Sequence, residues 1–257
     1  MPHIAIHLPQ LSGLILTYLL VFSRTGSMMM LLPALGEGGI PARVRLVLAL
    51  AVSVALAPVV QSAYPAQPPA DVMRLALLIA QEVTSGILIG GMSRIIMSSL
   101  QTAGYLIATQ TGLAYAQTVD PTQHEQGAVI GNFFALLGAV LIFATDLHHV
   151  AIGAIAGSYK MLPPGAALPT GDMAELTIRL VSAAFVLGFQ LAAPFLVFGF
   201  ALYAALGILA KLMPQLQVFF VAMPINIMFG FVLMALLLGS MMTLFLNFYA
   251  SNMAAFL

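Results

Sequence analysis

The stretch KLMPQLQ, Lys211 to Gln217, decides how this chain is read. Before it lie 31 uncharged residues, Leu180–Ala210, and from Leu212 to Leu257 run 46 more. As one helix the second run alone would reach about 70 Å at about 1.5 Å per residue. That is roughly twice a hydrocarbon core of about 30 Å. Proline lacks the N–H that a helix interior needs, and Lys211 offers a polar helix end. Pro214 and Gln215 are therefore read as the turn of a long helical hairpin with arms Glu175–Leu212 and Gln215–Leu257. Pro194 and Pro224 fall inside the arms, where they are expected to kink or interrupt them.

The rest of the chain is as apolar as this stretch. Of 257 residues, 61% are hydrophobic and 6% charged, with eight basic and eight acidic residues and no cysteine. Mean hydropathy is +1.07. A soluble domain carries about 25% charged residues, so the surroundings of this chain are lipid or other apolar protein. The missing cysteines remove disulfide and thiolate chemistry. Zero net charge without a basic run argues against nucleic acid as a partner. The first residues, MPHIAIHLPQLSGLILTYLLVFSRTG, carry no Lys or Arg ahead of the apolar run and no small-residue cleavage site, so they read as a first helix of the mature chain.

Further apolar segments are predicted at Leu11–Leu35, Arg43–Ala63, Val72–Ser93, Ile95–Tyr115, Ala128–Thr145 and His149–Leu162. Sustained period-two alternation is missing, which argues against an outer-membrane barrel. The fold class is all-α membrane protein, built of long kinked helices and helical hairpins. The longest break is KMLPPGAALPTGDMAE, Lys160–Glu175, where Asp172 and Glu175 have capping-box spacing. It divides the chain into halves of residues 1–170 and 171–257. The basic residues Arg24, Arg43, Arg45, Arg74, Arg94, Lys160, Arg179 and Lys211 are scattered over almost every connection, so orientation cannot be read from charge.

Enzyme motifs fail one by one. HEQGA, His124–Ala128, lacks the second histidine of H-E-x-x-H. The TGDM and GMS stretches lack the partners of an intramembrane protease, and no phosphate-binding loop occurs. The chain is read as a non-enzyme with no cofactor and no assigned metal ligand. Ionisable groups inside apolar segments are functional candidates nonetheless. Arg24 lies mid-segment, where a lone charge costs at least about 2.5–3.5 kcal/mol; it is expected to pair with a carboxylate, Glu37 or one on a partner. Glu82 invites the same argument. In TDLHHV, Thr145–Val150, Asp146, His148 and His149 form either a proton relay or a helix corner, with Asp146 capping the next helix and backbone carbonyls satisfying the imidazoles. Sixteen methionines suit adaptable packing, and GILIGGMS, Gly86–Ser93, suits close helix contact.

Between two charge-free segments stands AQTVDPTQHEQG, Ala116–Gly127. The block around it, GLAYAQTVDPTQHEQGAVIGNFFALLGAVLIFATDLHHVAIGAIAGSYKMLPPG (Gly112–Gly165), resembles the central region of the FliR family of flagellar export-gate proteins. Its markers are Gly112, Asp120-Pro121, the His148-His149 corner and the Ser-Tyr-x-x-Leu-Pro ending at Pro163. MPQLQVFFVAMPINIMFG, Met213–Gly230, and GGIPARVRLVLALAVSVALAP, Gly38–Pro58, resemble two further family regions in the right order. Virulence-type secretion systems carry a homologous subunit.

The resemblance implies a subunit that joins FliP and FliQ in a helical gate of the bacterial inner membrane, at the flagellar basal body, beside FlhB. Unfolded proteins would be the substrates. Residues 1–170 would form a FliP-like half and 171–257 a FliQ-like hairpin. The polar loop 112–127 would project into the pore and help to plug it, with Gly112, Tyr115, Thr118, Asp120, Pro121, His124 and Glu125 as its residues. Irregular backbone at membrane depth is tolerated only inside protein or against water, which suits a pore lining. A stand-alone transporter using Arg24, Glu82 and Asp146 is the reading from a different class.

Overall fold

The structure, a computed structural model, describes residues 8–33, 35–36, 40–64, 69, 71–114, 129–213, 215 and 218–256. Among them it is built of α-helices, with no strand. In chain order these are α1 (Leu8–Met29), α2 (Ala42–Val60), α3 (Val72–Gln110), α4 (Val129–Ala144), α5 (Leu147–Met161), α6 (Thr170–Leu212) and α7 (Val218–Ala254), with a 3-10 turn at Gln61–Ala63. Four stretches are long and apolar enough to cross a membrane: Ala42–Ala63, Val72–Gln110, Thr170–Leu212 and Ala222–Ala254. The broken pair α4 and α5 makes a fifth.

Three expectations need correction. Val72–Ser93 and Ile95–Tyr115 are one helix of 39 residues, because Arg94 is exposed and arginine is a good helix former. A charge on an exposed face ends nothing. Of the two outcomes expected at Pro194 and Pro224, interruption does not occur: α6 and α7 each run through their proline. In apolar surroundings an open break would leave backbone groups without partners, and neighbouring helices make an interior proline tolerable. Asp172 is no N-cap: α6 begins at Thr170, one residue after Pro169, and Asp172 lies inside its first turn. There its charge suits the positive end of the helix dipole.

Packing divides the chain into two compact units that do not follow chain order. The first collects Met1–Arg94, Ile142–Ile178 and Tyr249–Leu257. In it α1 packs on α2, with the Tyr18 hydroxyl donating to the Leu50 carbonyl at 3.3 Å. Gly86 lets α3 close on α1, since a Cβ there would strike the Arg24 carbonyl oxygen and Ser27 Oγ. Leu20, Val21, Met28, Ile89 and Ile155 are fully buried around this contact. Ser93 and Tyr249 share a buried hydrogen bond of 3.0 Å.

The second unit collects Ile95–Leu141 and Arg179–Phe248. Here α6 and α7 run antiparallel: Phe198 and Phe229, sixteen residues before and fifteen after Pro214, meet with ring centroids 5.7 Å apart. The hairpin read from KLMPQLQ is thus present, with Gln215 in a turn and Pro214 outside the described residues. Gly188 of α6 sits against the Ser99 carbonyl and the Thr102 side chain of α3. Gly104 of α3 lies against the backbone of Gly131 in α4, so closely that a Cβ on Gly104 would overlap it.

That last contact is testable. Replacing Gly104 by Val should lower thermal stability in detergent by about 1–3 kcal/mol or more, the usual cost of overpacking. Gly207→Ala is the control, because nothing lies within 4 Å of a Cβ there. Equal unfolding midpoints for the two variants would show that α3 and α4 do not meet backbone to backbone.

Candidate functional site

The structure brings Arg24 and Glu82 together, 58 residues apart in sequence and both at 0% exposure. Arg24 Nε donates to Glu82 Oε2 at 2.7 Å and Nη2 to Oε1 at 3.1 Å, a two-pronged pair. Nη2 also donates to the Leu162 carbonyl at 2.9 Å, and Nη1 to Ser158 Oγ at 2.9 Å. Four of the five guanidinium N–H groups are thereby used. Ser158 Oγ in turn donates a hydrogen bond to the Ile155 carbonyl at 2.6 Å. Tyr159 lays its ring under the guanidinium, 3.9 Å from Cζ to centroid.

Tyr64, just past the 3-10 turn, completes the network. Its hydroxyl donates to Glu82 Oε2 at 2.9 Å and lies 3.2 Å from the Tyr159 hydroxyl. Their rings meet edge to face at 5.8 Å. Burial, then the neighbouring Tyr159 and Glu82, pushes the Tyr64 hydroxyl far above the ordinary tyrosine range, so it keeps its proton and acts as a donor. Next door, Gln81 grips the loop after α5: Nε2 donates to the Pro163 carbonyl and the Gly165 N–H donates to Oε1, each at 2.9 Å. Leu162 and Pro163 carry carbonyls that the end of α5 would otherwise leave open.

Glu82 is therefore the partner of Arg24, and Glu37 lies outside the described residues. Tyr64 and Gln81 were not singled out by sequence reasoning, and Ser158 and Tyr159 entered only as part of the Ser-Tyr-x-x-Leu-Pro marker, with no role attached. The signal for that pair is its place in the last turn of a helix. Chemically the network holds no free acid, base or nucleophile: each charge is spent on a partner. What it can do is join α1, α3, the turn after α2 and the end of α5.

Asp146, His148 and His149 are also brought together, at the start of α5. Asp146 occupies the N-cap position with φ 59°, but its side chain caps nothing. His149 Nδ1 stands 3.8 Å from Asp146 Oδ1, and His148 Nδ1 is shielded without a hydrogen-bond partner among the described residues. The expectation of a side-chain cap thus fails at Asp146. A left-handed residue just before the helix points its side chain away from the first N–H groups.

Of the pore-loop residues, Gly112 is described. It ends α3 at φ +78°, the left-handed conformation that glycine adopts without cost, with its N–H on the Thr109 carbonyl at 3.3 Å. Asn226 of α7 caps the same end, donating from Nδ2 to the Gln110 carbonyl at 3.0 Å. Tyr115, Thr118, Asp120, Pro121, His124 and Glu125 lie outside the described residues, as does Pro214.

A family described as "Bacterial export proteins, family 1" matches residues 15–251. The chain belongs to this family. It is similar to the flagellar biosynthetic protein FliR of Caulobacter vibrioides, 41% identical over 220 residues that cover 86% of this chain and 87% of that one. It is similar to FliR of Escherichia coli K12, 31% identical over 208 residues, 80% of this chain and 78% of the relative. Similarity extends to the Yop proteins translocation protein T of Yersinia pestis, 28% identical over 222 residues, 82% of each chain. The FliR resemblance read from Gly112–Gly165 and Met213–Gly230 is borne out.

Removing one member of the buried pair in this export-family chain strands the other. Arg24→Met or Glu82→Leu alone should cost about 3–5 kcal/mol, whereas the double variant should recover most of that loss. A double-mutant cycle on unfolding of the detergent-solubilised chain checks this. Additive losses would show that the pair is not coupled.

Proposed function

We propose that this chain is a non-catalytic subunit of the flagellar type III protein-export gate, seated in the bacterial inner membrane at the flagellar basal body. It forms, with FliP-like and FliQ-like subunits and beside FlhB, the path for unfolded flagellar proteins. The family supports export, and the 41% identity to a flagellar FliR favours the flagellar over the virulence-type system.

The observation that carries the assembly is a mismatch of length. With 43 residues, α6 reaches about 64 Å. With 37 residues and no charge, α7 reaches about 55 Å. A hydrocarbon core covers roughly 30 Å. Within their most apolar windows only 22% of residues are buried by the chain itself. Phe200 at 78% and Leu236 at 76% are the most exposed of the large apolar side chains described on the two helices. Apolar faces of this extent beyond lipid need protein against them. A stand-alone transporter offers no such cover, and the transporter reading also needs Arg24 and Glu82 free, whereas they are spent on each other.

Within that assembly, residues 1–170 correspond to a FliP-like half and 171–257 to a FliQ-like hairpin. The loop 112–127 is the pore plug. The polar sequence between two charge-free segments and the two anchored ends support this reading. Asn226 and Gly112 fix its departure from α3, and the Gly104–Gly131 contact brings α4 back beside α3. A plug so held can be replaced without disturbing the helices that flank it.

Two measurements test this. A tagged chain expressed from its native operon should co-purify with two other small hydrophobic proteins; a lone chain that transports a small solute in vesicles would contradict the reading. Deleting Ala116–Glu125 should leave assembly intact and let small ions leak through the gate, slowing growth. An assembled, tight complex would remove the plug assignment.

A further inference from the structure

The corner between α4 and α5 holds a second cluster, remote in sequence from the Arg24 partners at the other end of α5. Asp146, His148 and His149 each offer one ligating atom, and the three atoms lie within 4.8 Å of one another. The spacing D-x-H-H is not the i, i+4 pair of a helical zinc site, and sequence reading offered the cluster as a proton relay or a helix corner. The backbone supplies what the spacing lacks. At φ 59°, Asp146 precedes the helix in a left-handed turn, which swings its carboxylate beside the imidazoles of the first helical turn.

Among the described residues no hydrogen bond ties up these three side chains. His148 stacks on Phe143 at 5.0 Å and 19° and meets His149 at 4.1 Å. Its Nδ1 is shielded from solvent and makes no hydrogen bond among the described residues, although buried polar atoms are almost always paired. The Asp146 carboxylate caps no helix N–H. The 3.8 Å from Asp146 Oδ1 to His149 Nδ1 is too long for a hydrogen bond. Ligands about 2.0–2.1 Å from a tetrahedral zinc ion stand about 3.3 Å apart. The two atoms are thus close to that spacing, and the side chains that must move are 79% and 70% exposed.

We propose that Asp146, His148 and His149 bind a divalent transition-metal cation of the zinc type, with water in the remaining positions. Two imidazoles and a carboxylate suit zinc and its neighbours; magnesium and calcium prefer an all-oxygen set. His148, held by Phe143, is the fixed ligand, and Asp146 and His149 close onto the ion. The metal clips a corner that has neither glycine nor proline at Thr145–Leu147 and no side-chain cap. The site stands independently of the export reading, since its ligands belong to this chain alone.

The test uses the full chain with a histidine-free affinity tag, purified with its co-expressed partners, stripped by chelator and dialysed against zinc chloride. About one zinc per chain should survive gel filtration, measured by elemental mass spectrometry. Asp146→Asn and His149→Gln should each weaken binding about tenfold or more, and the His148→Gln/His149→Gln double variant should abolish it. Asp172→Asn, an exposed carboxylate in the first turn of α6, is the control and should retain the metal. Cobalt in place of zinc should give a visible d–d spectrum that the double variant loses. Should the variants fail to assemble, wild-type protein still decides: zinc should protect His148 and His149 from diethyl pyrocarbonate, mapped by peptide mass. No retained zinc, equal retention in the double variant, or no protection would each overturn the proposal.

Discussion

A bilayer covers about twenty residues of helix, and this chain makes helices of 39, 43 and 37. The rest of the structure answers to that excess. The surplus length cannot sit in lipid and, being apolar, cannot sit in water. It must therefore lie against protein, and this chain buries little of it by itself. Low charge, scattered arginines and exposed Phe, Leu and Val along α6 and α7 fit the proposed assembly, in which neighbouring subunits would supply the solvent. The same constraint explains why Pro194 and Pro224 stay helical. A broken helix would need water or polar partners that such a setting does not provide.

Long uniform helices slide easily past one another, so register needs polar pins. The buried Arg24–Glu82 pair is the strongest of these. It is not a source of net stability by default, since desolvating two charges can cost more than their attraction returns. Its value is that the alternatives are worse: any slip of α1 against α3 leaves a bare charge in an apolar interior. Four guanidinium bonds, the Tyr159 ring and Tyr64 make the arrangement specific. Gly86 and Gly104 act in the same direction by letting backbones approach where a side chain would hold them apart.

What could be read beforehand follows from the range of each interaction. Uncharged runs and Pro214 gave the α6–α7 hairpin, because burial of apolar residues is local and periodic. Arg94 misled, since a lone charge looks like a helix end until its exposed face is known. Arg24 was recognised as needing a carboxylate, but the choice of Glu82 over Glu37 depends on how α1 and α3 pack, which no spacing reveals. Tyr64 and Gln81 were missed, and Ser158 was seen only as part of a marker, for the same reason: each is ordinary in its own segment and acquires a role only through a partner 18 to 134 residues away. At Asp146 the polar cluster was visible, yet the expected cap depended on a backbone angle that the residue type does not dictate.

The absence of cysteine allows the most direct measurement. Single cysteines placed along Ala222–Ala254 and spin-labelled would report contact with lipid, through relaxation by dissolved oxygen, residue by residue. With the chain alone in vesicles, any stable form must crowd its apolar faces against lipid or against itself. In the assembled complex, lipid contact should shrink to a band of about twenty residues or fewer, with exposed positions such as Leu236 becoming inaccessible wherever a partner covers them. Lipid contact that is unchanged by the partners along the whole of α7 would contradict the claim that other subunits complete this protein.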